Sequence, residues 1–123
     1  MKIEVSNGEL IDKLTILEIK SLRISDAEKS LNIVKELSIV KESAQEILPK
    51  VQDTYVKLRE INESLWNIED RIRSFERSKD FGDGFIELAR SVYKQNDVRA
   101  SLKKKINNMT NSGLSEEKSY EQY

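Results

Sequence analysis

A chain of 123 residues with 21 Lys and Arg against 22 Asp and Glu carries a formal net charge of −1, so it has no global field to draw in nucleic acid or acidic lipid. It contains no cysteine and no histidine, which excludes disulfides, zinc knuckles, thiol nucleophiles and the usual general base near neutral pH. Hydrophobic residues make up 37% and charged ones 35%, the balance of long helices with one apolar stripe and a charged outer face.

At this length the chain makes one domain with a buried core. Lys2 to Val5 alternates polar and apolar residues but is too short to define a sheet. Ser6 followed by Glu9 is a capping-box pattern, and a first helix is expected from Gly8 to Arg23. Ser25 and Glu28 repeat the signal and open a second helix, with Leu31, Val34, Leu37, Val40, Ala44 and Ile47 along one side. Pro49 cannot continue that helix but suits the first turn of the next.

The third helix has the clearest periodicity. Val51, Tyr55, Leu58, Ile61, Leu65, Ile68, Ile72 and Phe75 recur at spacings of three and four as far as Arg77. Asp80-Phe81-Gly82-Asp83-Gly84 breaks the pattern, and Asp83 is the expected cap of a fourth helix. That helix carries Phe85, Leu88, Ala89, Val92, Leu102, Ile106 and Met109 and ends between Asn107 and Gly113. Residues 1–113 form the expected bundle domain, and 114–123 a polar tail with Tyr120 and Tyr123 as docking points. The fold expected is all-α: an antiparallel bundle of about four helices built around a long helical hairpin. The short turn forces helices three and four antiparallel, and pairing Phe75 with Phe85 sets a register in which facing positions sum to about 160. Leu58 then falls opposite Leu102, and Asn62 opposite Val98 or Arg99.

Helical-wheel placement at about 100° per residue puts polar groups where apolar ones belong. Glu18 lies within the arc of Leu10, Ile11, Leu14, Leu17 and Leu22 on helix one. Asn62 and Glu69 lie within the arc of helix three, with Arg73 one turn beyond Glu69, and Asn96, Arg99 and Lys103 within that of helix four. Unpaired buried charge costs several kcal/mol, so these groups are expected to meet one another. They then either fix the helix register as a neutralised network or form a small polar pocket. In the pocket, Arg99 and Lys103 would grip an anion that Glu18 or Glu69 orients.

Other signals carry less. Asp80-Phe81-Gly82 matches a kinase magnesium tripeptide by letter alone, and Asp80 and Asp83 lack the spacing and terminal Glu of a calcium loop. Lys103-Lys104-Lys105 suits a helix C-terminus, where cations favour the macrodipole. Trp66 is either core or interface. No apolar run approaches the ~18 residues of a membrane span, and the first residues lack a signal-peptide core, so a cytoplasmic chain without membrane or nucleic-acid partners is expected. No catalytic residue, cofactor or metal ligand stands out.

Three stretches together resemble a known family: Gly8 through Lys20, Leu65 through Arg73, and Phe85 through Ala100 with Lys103 and Ile106-Asn107. The set is similar to an uncharacterised family of short bacterial helical proteins, a domain of unknown function. The likeness extends to Glu116-Glu117-Lys118-Ser119-Tyr120, with helix two the looser part. It carries no activity across. It does imply that Glu18, Glu69, Asn96, Arg99 and Lys103 belong to the family's pattern. Asp12 through Arg23 also resembles the helical chorismate mutases, small all-α dimers that hold a dicarboxylate with Arg, Lys and Glu; the remaining spacing of that family is absent. The reading preferred from sequence is a non-enzymatic helical interaction or scaffold protein acting as a homodimer, with a further protein partner open. The alternative is a small-anion binding protein or mutase-like enzyme using the inter-helix charges.

Overall fold

The structure, a computed structural model, describes residues 1–123. Four helices account for most of the chain: α1 (Asn7–Arg23), α2 (Ala27–Ala44), α3 (Gln52–Arg77) and α4 (Asp83–Met109). No helix is long and apolar enough to cross a membrane.

Local chemistry explains the boundaries. The Ser6 hydroxyl accepts from Glu9 N at 3.1 Å and starts α1, which is one half of the capping box, while the Glu9 side chain turns to Lys103. At α2 the cap is Asp26, one residue after the expected Ser25, and its carboxylate accepts from Lys29 N at 2.9 Å. Pro49 does not open α3; it sits in a separate 3-10 turn, Leu48–Lys50, and Val51 precedes the first residue of α3. Asp83 is likewise the first residue of α4 rather than its cap, where a negative charge favours the helix dipole. Asp80 accepts from Gly82 N at 3.1 Å, so the Asp-Phe-Gly tripeptide is a turn. Both long helices end in the same motif. At α3 Lys79 (φ 55°) turns left-handed while Asp80 N donates to Phe75 O at 3.0 Å, and at α4 Asn111 (φ 53°) does so while Ser112 N donates to Asn107 O at 2.9 Å.

α1 occupies the middle of the bundle, with each of the other three helices packed against it. α2 returns antiparallel along α1, where Lys13 meets Glu36 at 3.1 Å, and rests chiefly on that helix. α3 and α4 form the expected antiparallel hairpin. Gly84 lies against Phe75, since a Cβ there would sit 3.1 Å from the end of the ring, and Phe81 packs edge-on to Phe85 at 5.3 Å. α1 ends where Arg23 donates to Asn67 at 2.7 Å; beyond that point the hairpin continues as two helices alone. The core joins Ile11, Leu14 and Leu17 of α1 to Ile33, Val40 and Ala44 of α2, Val51 and Leu58 around α3, and Ile106 of α4.

Two expected apolar faces are corrected. Leu22 is exposed, and on α2 the buried face runs through Ile33, Leu37, Val40 and Ala44 at spacings of four, three and four. Leu31 and Val34 stand outside that stripe: Leu31 is two positions from Ile33, about 200° around the helix.

Candidate functional site

The polar seam is centred on a residue that the helical wheels do not single out, Asp12. It lies on the inner face of α1 between the buried Ile11 and Leu14, and its side chain is 2% exposed. The Arg99 guanidinium grips it at both ends, Nε to Oδ1 at 2.9 Å and Nη2 to Oδ2 at 2.6 Å. Asn62 Nδ2 donates to the same Oδ1 at 2.8 Å and to the Thr15 hydroxyl at 2.8 Å, and that hydroxyl donates to Asp12 O at 2.7 Å. One residue from each of α1, α3 and α4 therefore meets around one buried carboxylate. The hydrogen bonds to Asp12 hold the Arg99 guanidinium above its ordinary range, outweighing the opposing effect of burial.

Lys103 lies one turn further along α4. Its Nζ donates to Glu9 at 2.8 Å and to Glu116 of the C-terminal segment at 3.1 Å. Burial pushes this ammonium down, yet the two carboxylates raise it further, and its net position is above the ordinary lysine range. α1 and α4 can meet this closely because position 8 is glycine. A Cβ there would overlap the Lys103 carbonyl oxygen and lie 2.9 Å from its carbon. Gly8 N also donates to Asn107 Oδ1 at 2.6 Å.

The seven residues singled out by sequence separate into groups. Asn62 and Arg99 meet at Asp12, and Lys103 joins the same seam through Glu9. Glu18 instead turns to α3, accepting from Tyr55 Oη at 2.6 Å and Arg59 Nη1 at 3.4 Å. Burial, followed by the Glu18 carboxylate, raises the Tyr55 hydroxyl above its usual range. Glu69 is exposed and pairs with Arg73 along α3 at 3.4 Å, so Arg73 takes no part in the seam. Asn62, Glu69, Asn96 and Arg99 nonetheless line one groove of about 300 Å³ between α1, α3 and α4, walled by Ile16, Ile19, Leu65, Trp66 and Val92. No group of three acidic side chains is arranged to hold a metal ion. Arg99 and Lys103, four apart on α4, meet an acid pair three apart on α1, Asp12 and Glu9, a match that becomes apparent only once the two helices are docked antiparallel.

The segment after Gly113 folds back along α4. Lys103 and Lys104 hold Glu116 and Glu117, both at 3.1 Å, and the Tyr123 ring packs edge-on to Tyr93 at 5.0 Å. The Lys103 ammonium keeps the Glu116 carboxyl below the usual carboxylate range. Its docking contribution is thus fully present above the free carboxylate range near ~4.3 and is lost as pH falls through the lowered value. On the alkaline side the contact persists through the ordinary lysine range and is lost only as pH rises past the raised Lys103 value. The Tyr123 ring resonances are expected to stay dispersed at pH 5 and to move toward free-tyrosine positions only as pH falls through the lowered Glu116 value, beneath the free carboxylate range. Resonances already at free positions at neutral pH would contradict a docked tail.

The fold and site define an all-α four-helix protein with an Asp–Arg–Asn junction at its centre and a C-terminal strap. The whole chain, residues 1–123, matches the family described as Family of unknown function (DUF6165) and belongs to it. No curated protein and no solved structure matches the chain.

Proposed function

We propose that the protein is a non-enzymatic helical interaction protein that works as a homodimer through α2. The observation carrying this reading is the outer face of that helix, where Leu31 is 73% exposed, Val34 60% and Ile39 59%. Leu31 and Val34, three positions apart on one side of α2, leave apolar surface in water of the kind that self-association removes, and Ile39 adds a further exposed side chain elsewhere on that helix. Charges of both signs flank these side chains at either end of α2, Glu28 and Lys29 in its first turn and Lys41 and Glu42 in its last. An antiparallel pairing of two copies about a two-fold axis opposes their helix dipoles. A non-enzymatic role is supported by the seam itself, whose cations each already face a carboxylate.

Light scattering on the full chain at micromolar concentration is expected to give the mass of a dimer. The double variant Leu31→Glu, Val34→Glu is expected to give a monomer with unchanged helicity, because both side chains are exposed. A wild-type monomer under these conditions overturns the homodimer; a dimer that survives the double variant overturns the assignment to α2.

A further inference from the structure

We propose that the groove between α1, α3 and α4 is a binding site for a small monocarboxylate with a branched or aromatic hydrocarbon body. This groove is separate from the α2 interface, which lies on another helix, so either can fail without the other.

The groove combines an apolar wall with polar groups whose hydrogen-bonding capacity is unspent. Ile19, Leu65, Trp66 and Val92 supply the wall. Arg99 uses Nε and Nη2 on Asp12, and its Nη1 has no acceptor in the protein. A guanidinium carries about five N–H donors in a rigid fork, so one edge can hold Asp12 while the other meets a second carboxylate. Asn62 spends its amide nitrogen on Asp12 and Thr15, leaving its carbonyl oxygen without a donor from the protein. The Asn96 amide, also on the groove, makes no side-chain hydrogen bond to the protein.

Charge and size narrow the occupant. The acid lining the groove, Glu69, is paired with Arg73, so it does not stand as a free negative charge against an incoming anion. The polar edge offered by Arg99 and Asn96 fits one carboxylate. A volume of about 300 Å³ lies at the small end of ligand sites and accommodates a short hydrocarbon body rather than a nucleotide or a sugar phosphate. The Asn62 carbonyl and the outer oxygens of Glu69 are acceptors, so an α-ammonium group is compatible with the site but not required by it. Amino acids and simple carboxylic acids thus share the recognised chemistry.

The chain has one tryptophan, and it forms part of the wall, so its fluorescence reads this groove directly. The full chain is titrated with isocaproate, with leucine and with the uncharged isostere isocaproamide. A saturable change in Trp66 emission is expected for at least one of the two acids at low-millimolar concentration or tighter. The amide is expected to bind about tenfold more weakly or worse, the loss of one charge-assisted hydrogen bond. Tighter binding of leucine than isocaproate identifies an amino acid site, and the reverse order a simple acid site; either supports the proposal. Asn96→Leu, a change at a half-exposed position, is expected to weaken acid binding about tenfold without moving the melting temperature. Arg99→Lys is expected to retain a cation beside Asp12 while abolishing the response to the acids. Absence of a saturable response to both acids overturns the proposal, as does equal affinity for acid and amide or an unchanged affinity in Asn96→Leu.

Discussion

Arg99→Ala is expected to lose about 3–5 kcal/mol of folding stability, because it leaves the Asp12 carboxylate, 2% exposed, with the Asn62 amide as its one remaining side-chain donor. Asp12→Ala is expected to cost nearer ~3 kcal/mol, since the Arg99 side chain it abandons is 30% exposed and can turn toward water. The asymmetry follows from which charge is stranded. Urea unfolding of both variants measures it, and a double replacement, Asp12→Leu with Arg99→Met, serves as the control. Removing both charges together is expected to cost less than Arg99→Ala alone, because no ion is then left in the core. Losses below about 1 kcal/mol in both single variants would mean that the pair contributes only as a surface ion pair does.

Gly8→Ala is expected to destabilise by about 2–3 kcal/mol, although alanine is the better helix former by about 1 kcal/mol. The added methyl group meets backbone, the Lys103 carbonyl, which cannot swing aside as a side chain would. Relief requires moving the start of α1 away from α4. That motion lengthens the bond from Gly8 N to Asn107 and pulls Glu9 from Lys103 and Asp12 from Arg99. Thermal unfolding reads the loss. An unchanged or raised midpoint would show that the two helices do not approach as closely as described. Gly113→Ala is the comparison, since a Cβ there has no neighbour within 4 Å.

Helix type and extent are legible in the sequence because the signals are local. The Ser6–Glu9 cap, the three-and-four spacing from Val51 to Phe75 and the Asp80–Gly84 break each act within a few residues. The antiparallel sense of the hairpin is legible for the same reason, as Phe75 and the start of α4 are separated by one short turn. The outer face of α2 is not. Ile33 and Leu31 both belong to plausible apolar stripes, and burial against α1 selects between them. In the seam, Arg99, Lys103 and Asn62 are visible as polar residues on apolar faces, but their anchor is not, since Arg99 and Asp12 are 87 residues apart. Wheel geometry says that a charge points inward; which other charge it meets depends on how helices dock. Glu18 behaves in the same way, because its acceptance from Tyr55 and Arg59 depends on how α1 crosses α3.

The position of α1 has a consequence for biosynthesis. It leaves the ribosome before α2, α3 and α4, yet its inner face is completed by α4: Gly8 binds Asn107 across a separation of 99 residues. At about 5–20 residues per second, α1 spends several seconds or more in the nascent chain before α4 is available. Through that interval Asp12 has no arginine, Glu9 has no lysine, and the close-packing surface at Gly8 is open. The contacts between α1 and α2 are the first available, since the turn joining them is short and Ile33 and Val40 share one core cluster with Ile11, Leu14 and Leu17. The rest of the bundle then closes around a helix that is made before its partners and completed only when α4 arrives.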